Sequence, residues 1–256
     1  MGLQKKEPKQ RLDGALVERG LAASREEASR YILAGAVWVE GIRIDKRATL
    51  IEAHANIKVL GGASPFVSRS GGKLAAALDT FNIRCEGLVA MDVGASTGGF
   101  TDCLLQRGIA KVYAIDVGYG QLDWNIRQDS RVVVLERFNI RYLPKEKVPE
   151  SIQMAVVDVS FISLTVVLPC LVPFLADQAV LVVLVKPQFE VGKGKVGAGG
   201  IVRNEGQRQE VIDRVMQCAA GLGFHKLGVM DSPILGKKGN REAVLAMKKC
   251  EPKEHV

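Results

Sequence analysis

The chain has 256 residues, 47% of them hydrophobic and 25% charged, a soluble globular balance with room for one large domain or a small one plus a medium one. Lys and Arg (35) outnumber Asp and Glu (28), and the net charge of +7 favours a polyanionic partner without establishing one. Five scattered cysteines with no Cys-x-x-Cys pair, a polar and basic stretch at 1–11, and no apolar run of the ~20 residues a membrane helix needs argue against a disulfide scaffold, a secreted protein and a transmembrane protein, so a cytoplasmic location is expected.

Residues 10–60 form a unit with its own pattern. Leu12, Leu16 and Val17 have helical spacing, and Gly20 follows as a stop. Ser24 is an N-cap candidate for a second helix, with Glu27 completing a capping box; that helix buries Ala28, Ile32 and Leu33 and ends near Gly35. Val37, Val39, Ile42 and Ile44 flank Glu40-Gly41 as a hairpin, and Ile57 to Leu60 reads as a closing strand. Gly61-Gly62-Ala63-Ser64-Pro65 is small, kinked and uncharged. The expected boundaries are a domain at 1–60, a linker at 61–67 and a larger domain at 68–256.

From residue 66 onward strands and helices alternate. Helices are expected over Leu74 to Phe81, after the glycine loop through Leu105, and over Glu205 to Leu222. Strands are expected at Leu88–Val93, Lys111–Val117, Val132–Leu135, Gln153–Asp158 and Ala179–Val185, with a hairpin of Lys226–Met230 and Ala243–Met247 at the end. Such alternation predicts an α/β fold with a mostly parallel sheet. Val191 to Arg203 is a Gly- and Lys-rich loop of the kind that is often functional.

Between the first of these strands and its helix lies Asp92-Val93-Gly94-Ala95-Ser96-Thr97-Gly98-Gly99-Phe100-Thr101. Ligands of open α/β sheets bind beyond the carboxyl ends of strands, and glycines there let a ligand approach the backbone. Asp116 follows by about 20 residues at the end of the next strand, where a carboxylate can accept from ribose hydroxyls. The Gly-x-Gly-x-x-Gly spacing of dinucleotide sites is absent, and Asp-x-Gly-x-x-x-Gly-Gly suits S-adenosylmethionine. The expected cofactor-binding residues are Gly94, Ala95, Ser96, Gly98, Gly99, Phe100, Asp116 and Val117. A purely structural turn is the alternative, with Asp92 as a helix cap or a core-edge carboxylate.

Four charged residues sit in distinctive frames: Lys73 in Ser-Arg-Ser-Gly-Gly-Lys-Leu, Asp158 in Val-Val-Asp-Val-Ser, Lys186 in Leu-Val-Lys-Pro, and Glu242 in Gly-Asn-Arg-Glu. Each alone is an ordinary solvated or capping residue. Together they suit removal of a proton from a ribose hydroxyl, a poor nucleophile until deprotonated. A lysine is a base only as the neutral amine, which a neighbouring lysine and partial burial both favour. Lys186 follows the apolar run Val180–Val185 and is assigned as the base. Lys73 would favour its neutral form and help hold the substrate, Asp158 would orient Lys186, and Glu242 would position Lys73 or the ribose. After the expected fourth strand stands Asp158-Val159-Ser160-Phe161, not the Asn/Asp-Pro-Pro-aromatic stretch common in base-nitrogen methyltransferases. The three histidines are isolated, and no metal ligand is assigned.

The residues from Ser68-Arg69 through Lys73, the 92–101 loop, Asp158, Lys186 and Glu242 resemble the FtsJ-like ribose methyltransferases. Arg11-Leu12-Asp13, Leu16, Gly20, Ser24-Arg25, Ala28, Ile32, Gly35, Val37, Val39 and Gly41 resemble the S4-like RNA-binding module of a ribosomal small-subunit protein. With Lys186-Pro187-Gln188-Phe189-Glu190, the whole looks like the TlyA family. The resemblance implies a Rossmann-like domain with a seven-stranded sheet, S-adenosylmethionine as cofactor, cytidine 2′-O-methylation of ribosomal RNA in one or both subunits, and Lys73, Asp158, Lys186 and Glu242 as a catalytic tetrad. Arg11, Arg25 and Arg69 are the expected RNA contacts. Two other classes stay open on sequence alone: a non-catalytic ribosome-binding or assembly factor, and a membrane-active cytolysin, since the family is often labelled hemolysin. Against the last, the sequence shows no spanning helix and no stable membrane association is expected; it does not set the oligomeric state.

Overall fold

The computed structural model describes residues 9–33, 35–60, 65–192, 194, 196–236 and 238–250. Its contacts divide into two units, Met1–Ser70 and Gly71–Val256. Most of the linker expected at 61–67, namely residues 61–64, lies outside the described residues.

In the first unit, β1 (Lys9–Arg11) runs into α1 (Leu12–Glu18), and α2 (Arg25–Leu33) packs on α1. Ser24 Oγ accepts from Glu27 N at 3.1 Å as expected of a cap, but Glu27 Oε2 reaches back to Ala23 N at 2.6 Å, one residue before a capping box would place it. β2 (Val37–Val39), β3 (Ile42–Ile44) and, after β4 (Leu50–Glu52), β5 (Ile57–Val59) form a sheet in the order β3-β2-β5. Glu40 and Gly41 both take positive φ (49° and 77°), so the hairpin turns tightly between β2 and β3. β1 and β4 make a separate antiparallel pair with Lys9 opposite Glu52. Leu12, Leu16, Ala28, Ile32 and Val37 are fully buried and form this unit's own core.

The second unit begins within α3 (Ser70–Thr80) and continues through β6 (Val89–Val93), α4 (Gly99–Gln106), β7 (Lys111–Asp116), α5 (Trp124–Gln128), β8 (Val132–Glu136) and β9 (Ile152–Val157). Then come α6 (Leu164–Leu171), β10 (Leu175–Val185), α7 (Pro187–Glu190), α8 (Glu205–Gly221), β11 (Phe224–Asp231) and β12 (Ala243–Lys249). The seven strands lie in the order β11-β12-β10-β9-β6-β7-β8; β12 runs antiparallel to both neighbours and the other pairings are parallel. The central strands are buried on both sides, which is why they read as continuous apolar runs. α6 and α8 cover the sheet with Leu164, Val167, Leu168, Val211, Ile212 and Val215.

This topology creates the site. From β6 the chain steps to β7 and β8 on one side, then returns to β9 on the other, so a crevice opens past the carboxyl ends of β6 and β9. Among the described residues, no helix is long and apolar enough to cross a membrane.

Candidate active site

Three of the four charged residues emerge abreast on adjacent strands. Asp158 follows the last residue of β9, and Lys186 follows the last residue of β10, where Pro187 lacks an N–H for the ladder and opens the turn of α7. Glu242 precedes β12, whose first residue Ala243 pairs with Val185. Lys73 comes from α3 and is only 4% exposed.

They form two ion pairs. Lys186 Nζ lies 2.5 Å from Asp158 Oδ1 and donates to Ser160 Oγ at 3.1 Å. Lys73 Nζ lies 2.5 Å from Glu242 Oε2, joining residues 169 positions apart. Both groups of the second pair are buried, so removing either partner would strand an uncompensated charge. The loop before Glu242 is packed closely: a Cβ at Gly236 would lie 2.5 Å from Glu242 Oε1. Asn240, 2% exposed, accepts from Val202 N and donates to Gly200 O, both at 2.9 Å, tying this loop to the Gly-rich segment. Lys193 and Lys195 of that segment lie outside the described residues.

The glycine loop wraps the end of β6. Gly94 takes φ 88°, and a Cβ there would lie 2.6 Å from the Asp158 carbonyl oxygen, so only glycine lets the loop lie against the end of β9. Gly98, φ 94°, caps α4. Ser96 is exposed with φ 50°, and its N–H donates to Asp116 Oδ2 at 2.8 Å. Asp116 Oδ1 accepts from Gly118 N at 2.7 Å. Each Asp116 oxygen keeps a second lone pair for a ligand. Val117 is exposed beside it, whereas Ala95, Gly98, Gly99 and Phe100 are buried; Phe100 is 3% exposed, so its ring belongs to the core rather than to an open pocket.

Asp92 is the loop's interior anchor. It is fully buried, and its Oδ2 accepts from Thr101 Oγ1 of α4 at 2.7 Å. Burial pushes its carboxyl up to about 7, the Thr101 hydrogen bond opposes the shift, and the Asp158 carboxylate adds to it.

Several residues near these had no role from sequence. The segment 158–164 and the segment 186–190 are joined along their lengths: Lys186 holds Asp158 and Ser160, Phe189 packs its ring 4.9 Å from that of Phe161, and Glu190 accepts from Ser163 Oγ at 2.6 Å and Leu164 N at 2.7 Å. Glu190 is buried, which raises its carboxyl above the usual range despite those donors. Phe161 is 90% exposed and takes φ 64°, a conformation bulky residues rarely adopt.

In the first unit, Arg11 donates twice to Asp13, at 3.0 and 2.6 Å, and Arg25 is exposed on the first turn of α2. Arg69 is half-buried just before α3.

Residues 66–249 match the FtsJ-like methyltransferase family, and residues 10–57 match the S4 domain. The chain is 48% identical over 236 residues to the 16S/23S rRNA (cytidine-2′-O)-methyltransferase TlyA of Mycobacterium tuberculosis, covering 92% of this chain and 88% of that one. It is 42% identical over 233 residues to Hemolysin A of Brachyspira hyodysenteriae, covering 91% and 97%. A solved structure of a hemolysin-named protein from Streptococcus thermophilus superposes with a TM-score of 0.75 at 42% identity, covering 96% of this chain and 90% of that one. Fibrillarin from Aeropyrum pernix, solved with natively bound S-adenosyl-L-methionine, shares the fold at a TM-score of 0.50 and 17% identity over 68% of this chain and 74% of that one. Matched in both its parts, and similar to such relatives over almost its full length, the chain belongs to the TlyA family, an S4 domain followed by an FtsJ-like methyltransferase domain.

Proposed function

We propose that this chain methylates the 2′-hydroxyl of a cytidine ribose in ribosomal RNA, using S-adenosylmethionine, in the cytoplasm. The observation that carries the reading is Lys186, held at 2.5 Å by Asp158, which stands at the strand end the glycine loop packs against. The name of the Mycobacterium tuberculosis relative supports ribosomal RNA, cytidine and the 2′-oxygen, and the fibrillarin fold with its bound ligand supports the donor.

The residues present fit that donor: a close-packed glycine loop, an Asp116 carboxylate with lone pairs to spare for ribose hydroxyls, and exposed Val117 beside it. When bound, S-adenosylmethionine supplies an electrophilic sulfonium methyl. Gly94, Ala95, Ser96, Gly98, Gly99 and the backbone of Phe100 hold it at the end of β6. Lys186 Nζ takes the proton of the ribose 2′-hydroxyl, freeing the oxygen as nucleophile. Asp158 orients Lys186 and offsets the charge it gains. Lys73, fixed by Glu242, helps hold the ribose.

A ribose within folded RNA reaches such a pocket only if its nucleotide swings out, and exposed Phe161 offers an aromatic face for the displaced base. Arg11, Arg25 and Arg69 contact phosphates, which supplies affinity and salt dependence rather than sequence choice.

The test is methyl transfer to purified ribosomal subunits by wild type and Lys186→Ala. Loss of the base is expected to lower turnover by roughly 10²-fold or more, with the fold and calorimetric S-adenosylmethionine binding retained. Full activity in the variant sinks the base assignment, and a wild type that does not bind S-adenosylmethionine sinks the donor.

A further inference from the structure

Lys186 has two partners of different kinds, an ion pair and a hydrogen bond. Besides Asp158 Oδ1, its Nζ reaches Ser160 Oγ at 3.1 Å. Both partners sit on one short segment that is fixed from several sides. Asp158 N donates to Val93 O at 3.0 Å, the glycine loop presses on the Asp158 carbonyl, and Phe161 is held in a left-handed conformation against Phe189.

A neutral lysine amine has two N–H bonds and one lone pair in a tetrahedral arrangement. With Asp158 alone, the amine can turn about its Cε–Nζ bond and the lone pair sweeps a cone. The hydrogen bond to Ser160 Oγ fixes one N–H, stops that rotation and narrows the directions left to the lone pair. We propose that Ser160 is a positioning residue that aims the lone pair of Lys186 at the ribose hydroxyl; this rests on the functional reading above. When the 2′-oxygen gives up its proton, that proton becomes the third N–H of the Lys186 ammonium, and the ion pair with Asp158 and the hydrogen bond to Ser160 persist. The Ser160 hydroxyl accepts throughout and is not consumed.

The test compares wild type, Ser160→Ala and Ser160→Thr with ribosomal subunits and S-adenosylmethionine. The alanine variant is expected to lose about ten-fold in kcat, the scale set by losing one hydrogen bond of ordinary net strength in the transition state. Its KM for subunits, its S-adenosylmethionine affinity and its thermal unfolding are expected to stay within two-fold or a few degrees of wild type. Threonine, which keeps the hydroxyl, is expected to restore kcat to within about three-fold. Wild-type kcat in the alanine variant overturns the proposal. So does a threonine variant as slow as alanine, or an alanine variant whose loss lies in donor affinity or folding. A wild type that binds the donor but methylates no ribose brings down the functional reading itself, and the role of Ser160 with it.

Discussion

Asp92 shows how a single carboxyl can serve the site without touching a ligand. Its place inside the glycine loop, bonded to Thr101 at the start of α4, makes it a structural anchor, the alternative left open by its sequence position. Its carboxyl is raised from 3.8 to about 7, so between those values the folded chain holds a proton that the unfolded chain has released. The stabilising contribution is therefore full below about pH 4 and is lost as pH rises toward 7. Asp92→Asn keeps an acceptor for Thr101 and removes the titration. The difference in Tm, variant minus wild type, is expected to grow in the variant's favour by several degrees between pH 5 and pH 8, on a scale of about 2–4 °C per kcal/mol for a domain of this size. A difference that does not change with pH contradicts this. At the same scale, Lys73, Asp158, Lys186 and Glu242 stood out because each sits in a distinctive local frame, and the structure joins them as two ion pairs. Ser160 and Glu190 were not: a polar residue after a strand has many roles, and the partners of Glu190 lie 26 and 27 positions away, where spacing carries no signal.

Elements were legible where burial is two-sided. β6, β7, β9 and the later part of β10 read as apolar runs because both faces of the sheet are covered, and their ends fall within a residue or two of expectation. β1 was not: Lys9-Gln10-Arg11 has no apolar alternation, and its partner β4 is remote in sequence. The bounds of α6 inside the apolar stretch 154–185 were not legible because Val166, Val167 and Pro169 are poor helix formers; the Ser163 cap and the Glu190 carboxylate at its start supply what propensity lacks. The glycine loop carries the clearest prediction at this scale. Gly94→Ala imposes both a left-handed conformation and a contact 2.6 Å from the Asp158 carbonyl. Strain and overpacking together are expected to cost roughly 2–4 kcal/mol in denaturant unfolding, with donor affinity falling too. An alanine variant of undiminished stability shows that the loop does not need that close approach.

Over the whole molecule, the proposed division of labour is between an S4 domain, whose basic and acidic side chains are balanced, and a larger domain holding Lys73, Asp158, Lys186 and Glu242. An arginine that grips phosphate acts on binding, not on chemistry. Arg25→Ala is expected to weaken binding to ribosomal subunits, to reduce the slope of log K against log salt by about 1, and to leave S-adenosylmethionine affinity untouched. An unchanged slope removes Arg25 from the interface. Arg11 is expected to matter less to the salt slope, because its guanidinium is already engaged by Asp13. The central claim concerns the ribose oxygen, and mapping alkali-resistant linkages in ribosomal RNA tests it most directly. RNA from cells with the gene, without it, and with only the Lys186→Ala form is to be compared. The expected result is a resistant linkage at a cytidine with the wild-type gene, absent from the other two. An identical map in all three, or a methyl group found on a base instead of a ribose, contradicts it.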